Sequence, residues 1–230
     1  MYKHVFIDLD DTIWDFHQNA RFSLNDVYVE KNLDRYFDNF EQYFQIYSKR
    51  NLELWEMYGR KEVTKEFLSL ERFRHPLTTV GVDNIELAKQ IATDYLDKLP
   101  TYTALVPFAL ELLEYLFPKY SITIVSNGFI EVQYRKIKSC RIEKYLSHIV
   151  LSEGAGALKP DKRIFEYAME LNNALASETI MIGDSFEADI RGAQNAGIDQ
   201  IYFNSNHSNL PTHEPATYKV KSLKEIFSII

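Results

Sequence analysis

A single cysteine, Cys140, stands in a chain of 230 residues, so no internal disulfide can form. A lone thiol of this kind is read as a small buried hydrophobe rather than a reactive group. Long hydrophobic runs are missing as well, and nothing approaches the roughly 20 apolar residues that span a bilayer. The opening MYKHVFIDLD meets acids within its first ten positions, unlike a secretory leader, so a cytoplasmic protein is expected. Positive charge is scarce: 26 Lys and Arg face 33 Asp and Glu, a net charge of -7. That balance gives no pull toward polymeric nucleic acid or anionic lipid, and any phosphate must be held locally. With 46% hydrophobic and 14% aromatic residues the chain is too apolar to be disordered. It has no internal repeat, low-complexity tract or long flexible linker.

Short β-branched runs at His4–Ile7, Ser121–Val125, His148–Leu151, Thr179–Ile182 and Gln200–Phe203 read as buried strands. Helical patterns lie between them, such as Ile164, Ala168 and Leu171, or Leu112 and Leu116 after Pro107, with Pro107 as the expected helix opener. Alternating strand and helix predicts an α/β fold with a parallel sheet. From 16 to 100 the alternation stops and only helical patterns remain. Phe37, Phe40, Phe44 and Tyr47 recur at three, four and three; Ala88, Ala92, Tyr95 and Leu99 follow an Asp83 and Glu86 capping pair, predicting an inserted helical unit whose stripes fill its own core. Residues 1–15 and 101–230 then form the main domain. Asn204–Thr217 reads as a surface loop, and Ser222 with Glu225 forms a capping box for a last helix.

Parallel sheets place ligands beyond the carboxyl ends of their strands. After the first strand come Asp8 and Asp10, which extended backbone aims toward one side. At ~4 Å and an effective dielectric of ~20 two such charges repel by about 4 kcal/mol, so a proton or a cation must intervene unless the stretch is only an acidic turn. Ser126, Asn127 and Gly128 end the second strand with a hydroxyl and backbone donors suited to an anionic oxygen, or with a plain turn. Lys159 precedes a helix start, where it can neutralise a phosphate or the crowded acids, or sit solvated. Asp184 ends the fourth strand and Asp189 follows it; the pair can complete an oxygen-rich site suited to Mg²⁺, although Asp189 also fits a helix surface.

Taken together, Asp8-x-Asp10-x-Thr12, Ser126, Lys159 in an L-K-P-D context and the stretch Gly183–Asp189 resemble, in order, the four motifs of the haloacid dehalogenase (HAD) superfamily. The resemblance implies a Rossmann-like parallel sheet flanked by helices, with an all-helical cap inserted after the first strand. The segment DLDDTIWDF, Asp8 to Phe16, is similar to the YjjG-type 5'-nucleotidase-like subgroup, which implies a nucleoside monophosphate as substrate.

Phosphate monoester cleavage needs an attacking group, neutralised transition-state charge and a proton for the leaving alkoxide. Asp8 fits the nucleophile, forming an aspartyl-phosphate, and Asp10 the general acid and later base. Ser126, Asn127 and Lys159 would bind phosphate. Asp8, Asp184 and, as in the superfamily, the backbone carbonyl of Asp10 would hold Mg²⁺, with Asp189 as a supporting acid. A 2-haloacid dehalogenase has no use for an acid at position 10, because halide leaves without a proton. A sugar-phosphate phosphatase, a phosphomutase and a non-catalytic binding module remain alternatives. Substrate choice is expected from the cap and its approach, including Trp14, Phe16 and some of the aromatic residues between Phe22 and Tyr58, with Arg72 and Arg74 either reaching an anion or forming a solvated face.

Overall fold

The computed structural model describes residues 1–204 and 215–230; residues 205–214, in the expected surface loop, lie outside the described residues. The chain divides into two compact units, Met1–Phe16 with Thr103–Ile230, and His17–Tyr102.

Among the described residues, the first unit is built on six strands: β1 (His4–Ile7), β2 (Ser121–Ser126), β3 (His148–Leu151), β4 (Thr179–Gly183), β5 (Asp199–Phe203) and β6 (Tyr218–Val220). Their order is β3-β2-β1-β4-β5-β6 and every pairing is parallel. The central strands bury both faces, which is why they read as unbroken β-branched runs. Ile7 stands level with Ile124 on one side and Ile182 on the other. The chain order therefore reverses at β1, and the ends of β1 and β4 form the crevice that such sheets offer to ligands. The edge strand β6 had no signature in the hydropathy pattern, because only Val220 of its three residues is buried.

The second unit contains α1 (Phe16–Glu30, whose first residue belongs to the first unit), α2 (Phe40–Gly59), α3 (Lys65–Thr79) and α4 (Ile85–Lys98). Side chains of Asn39, Thr64 and Asn84 accept hydrogen bonds from the first turns of α2, α3 and α4. Asn84 thus takes the capping place expected of Asp83. The core is aromatic: the rings of Tyr47, Phe73 and Tyr95 lie 5.1–5.9 Å apart. Phe37 precedes α2 and Phe40 stays half-buried, while Tyr43, Phe44 and Tyr47 are buried. Arg72 is buried as well, its guanidinium over the rings of Phe73 and Tyr95 and bonded to Asn51. It does not lie on a solvated face. Arg74 reaches Asp83 at 3.3 Å.

Among the described residues, the first unit has the α-helices α5 (Ala109–Leu116), α6 (Ile130–Ser139), α7 (Ser152–Ala155), α8 (Lys162–Asn172) and α9 (Gly192–Asn195). α5 opens after Phe108 in a left-handed conformation rather than at Pro107. Ile164, Phe165 and Ala168 of α8 pack with Phe6, Val125 and Met181 of the sheet, whereas Leu171 is exposed. The terminal capping box forms between Ser222 and Glu225, but the segment it starts, Leu223–Ser228, is a 3₁₀-helix. Among the described residues no helix is long and apolar enough to cross a membrane.

Candidate active site

Beyond β1 the backbone keeps its strand partner for one more residue, the Asp8 N–H donating to the Ile182 carbonyl at 2.9 Å. It then turns sharply. Asp11 adopts a left-handed φ of 56°, its N–H donates to the Trp14 carbonyl, and the N–H groups of Ile13 and Trp14 both donate to the Leu9 carbonyl. This knot pins Asp8 and Asp10 at the mouth of the crevice. Thr12, fully buried in the same turn, donates its hydroxyl to Asp184 Oδ1 at 3.1 Å.

Three carboxylates meet there. Oxygens of Asp8, Asp184 and Asp189 lie within 4.8 Å of one another. Lys159, only 3% exposed, donates its ammonium to Asp8, to Asp189 Oδ1 at 2.6 Å and to the Val125 carbonyl at 2.7 Å. Neither surface reading survives: Lys159 is not solvated, and Asp189 is buried inside the site. Asp189 arrives on the wide helical turn Phe186–Arg191, of π geometry, and its second oxygen accepts from the Ser185 N–H at 3.0 Å. Gly183 makes room for it, since a methyl group there would overlap the Asp189 carboxylate.

The charge balance is uneven. Three carboxylates against one ammonium leave two negative charges when all are ionised, the complement of one divalent cation. Burial first, then the charges of Asp189 and Asp10, push the Asp8 carboxyl up to about 7 against the pull of Lys159. Burial and the neighbouring Asp8, Asp189 and Asp11 charges hold Asp184 well above the usual carboxylate range. Burial works to lower the Lys159 ammonium, but Asp189 and Asp8 outweigh it and hold it above its ordinary value. Oxygen donors in this number and charge suit a hard cation such as Mg²⁺.

Asp10 points elsewhere in the same site. Its Oδ1 accepts from the Lys136 ammonium at 2.6 Å and its Oδ2 from the Gln133 amide at 2.8 Å. That amide also donates to Ser126 Oγ at 2.8 Å, and Ser126 Oγ accepts from the Gly128 N–H at 3.1 Å. Asn127 turns its side chain away from this opening, bonding both the N–H and the carbonyl of Lys159 at 2.8 and 2.9 Å. Its amide is a brace for Lys159, which leaves the backbone of this loop as its donor toward an anion.

Gln133 and Lys136 lie outside the motifs, and Thr12, the last residue of the first motif, carries no assigned role there. The available signal was on α6, where Val132, Gln133, Lys136 and Ile137 form the buried stripe: two polar side chains occupy positions that should be apolar. Trp14 is fully buried beneath the Lys136 ammonium, 4.2 Å from its ring centre, so it is part of this support rather than an open stacking platform. Cys140 is only partly buried, and burial pushes its thiol up to about 11, away from reactivity.

The fold and site define a hydrolase of the α/β class with an aspartate-rich centre, and the comparisons agree. The family described as haloacid dehalogenase-like hydrolase matches residues 5–203, and the chain belongs to it. The HAD-hydrolase YfnB of Bacillus subtilis is 29% identical, covering 100% of this chain and 95% of its own. Its magnesium-bound crystal structure superposes with a TM-score of 0.88 at 27% identity, covering 99% of this chain and 98% of that one. The pyrimidine 5'-nucleotidase YjjG of Escherichia coli is 27% identical over 98% of this chain and 96% of its own. A 2-haloacid dehalogenase from Pseudomonas syringae, 24% identical with a TM-score of 0.67 and covering 100% and 98% of the two chains, shares the fold.

Proposed function

We propose that the protein is a Mg²⁺-dependent phosphatase of small phosphorylated metabolites, with nucleoside 5'-monophosphates as its substrates. The observation that carries this is the convergence of Asp8, Asp184, Asp189 and Lys159 at one edge of the sheet, with Asp10 held separately beside Ser126. The full-length likeness to YjjG supports the nucleotide.

In this reading the Asp8 carboxylate attacks phosphorus and becomes an aspartyl-phosphate. Asp10 gives a proton to the departing alkoxide, then takes one from the water that clears Asp8. The Ser126 hydroxyl and the N–H groups of the loop after β2 bind phosphate oxygens, and Lys159 sets its ammonium against both the nucleophile and the incoming charge. Asp8, Asp184 and the Asp10 carbonyl would hold Mg²⁺, which neutralises phosphate charge when bound. Asp10 also separates this reading from dehalogenation, because halide needs no proton. A cytoplasmic location belongs to the same proposal.

The test is a panel of mononucleotides and sugar phosphates assayed with Mg²⁺ and with EDTA. Release of phosphate from mononucleotides that EDTA abolishes is expected. A hundredfold preference for sugar phosphates removes the nucleotide, transfer of the phosphoryl group to a second hydroxyl marks a mutase, and metal-independent halide release from a 2-haloacid removes the phosphatase.

A further inference from the structure

The Lys136 side chain is 3% exposed and the Asp10 side chain 29%, so the lysine is buried behind an acid that still reaches the opening. A buried ion pair is weak evidence of stability, since desolvation offsets most of its attraction. Its surroundings are specific nonetheless. The ammonium lies 4.2 Å from the Trp14 ring centre and 5.5 Å from that of Phe16, a cation–π cradle built from the same short segment that carries Asp10. Gln133, one turn earlier on α6 and fully buried, takes the other Asp10 oxygen and ties it to Ser126. Its orientation is fixed, because two acceptors face the nitrogen. Gly128 leaves the space: a methyl group there would overlap the Gln133 amide.

We infer that Lys136 is a positioning residue: its ammonium, wedged between Trp14 and Asp10 and seconded by the Gln133 amide, holds the Asp10 carboxyl group where it serves the leaving oxygen. The inference rests on the phosphatase reading above. In the first half-reaction the bond between phosphorus and the ester oxygen breaks, its electron pair goes to that oxygen, and the Asp10 proton makes it an alcohol. Asp10 is left as a carboxylate, the form whose two oxygens match the two donors of α6. The same carboxylate is then in place to take a proton from the attacking water.

A proton matters for an alkoxide and little for a p-nitrophenolate, which leaves unaided, so comparing two esters isolates the role. For Lys136→Met, kcat/KM for a nucleoside 5'-monophosphate should fall at least about thirtyfold, within the range general acids supply. For p-nitrophenyl phosphate it should fall less than about threefold. Lys136→Gln, which keeps a donor toward Asp10 but loses the charge, should show the same selective loss to a smaller extent. Thermal melts of both variants verify folding, and if Lys136→Met does not fold the comparison is read on Lys136→Gln. Equal losses on the two esters, or no loss on the nucleotide, overturn the positioning role. A wild-type enzyme that cleaves neither ester in Mg²⁺ overturns the phosphatase reading beneath it, and is told apart because no variant is needed to see it.

Discussion

Lys159 joins two acids at the sheet edge, and its two partners differ in what their loss would do. Asp189 is 1% exposed and has no solvent to fall back on. Asp189→Ala removes one partner of a buried pair and the acceptor of the Ser185 N–H, so a loss of about 3–5 kcal/mol is expected in urea unfolding; a change under about 1 kcal/mol would mean the site is open to water. Asp8→Asn leaves Lys159 paired with Asp189 and keeps the side-chain shape. The fold should therefore persist while turnover falls at least about a thousandfold, as for loss of a covalent nucleophile. Near-normal phosphate release by that variant would refute the mechanism.

At the scale of elements, what could be read in advance depended on which physical signal each segment carries. The five β-branched runs became β1 to β5 because burial on both faces leaves an unbroken hydrophobic record. β6 leaves none, having one buried residue. Asp8, Ser126 and Asp184 are visible because each lies where an apolar run ends, Asp10 because it stands two residues beyond Asp8, and Lys159 because it precedes a helix start. Gln133 and Lys136 sit inside a helix whose periodicity looks ordinary unless polar residues on its buried stripe are counted. Helix starts were legible to within a residue or two, since several side chains compete to cap them. At α4 the geometry favours Asn84, whose Oδ1 accepts from the Leu87 N–H at 3.0 Å. Asn84→Ala should cost about 1 kcal/mol of stability and Asp83→Ala much less, readable from thermal melts. The reverse order would return the cap to Asp83.

For the whole molecule, the crowded carboxylates link metal, pH and stability. Asp8 and Asp184 hold their protons more tightly folded than unfolded. The contribution of Asp8 to stability is therefore fully present below the ordinary carboxylate range, about 4, and is lost as pH rises through about 7; that of Asp184 is lost in the same direction, above the usual carboxylate range. Metal-free protein should lose part of its stability between about pH 5 and pH 8, and Asp184→Asn should flatten that slope. Mg²⁺ binds the ionised groups, so it should raise the melting temperature more at the upper end than at the lower. An equal shift at both ends would place the cation away from these acids.

If Asp8 carries the phosphoryl group, acid-quenching the enzyme during turnover of a nucleoside 5'-monophosphate labelled in its phosphate traps it. Label should be found on the peptide containing Asp8 and should be missing from Asp8→Asn. Active wild-type enzyme that never holds label, or label persisting in the variant, would contradict the account.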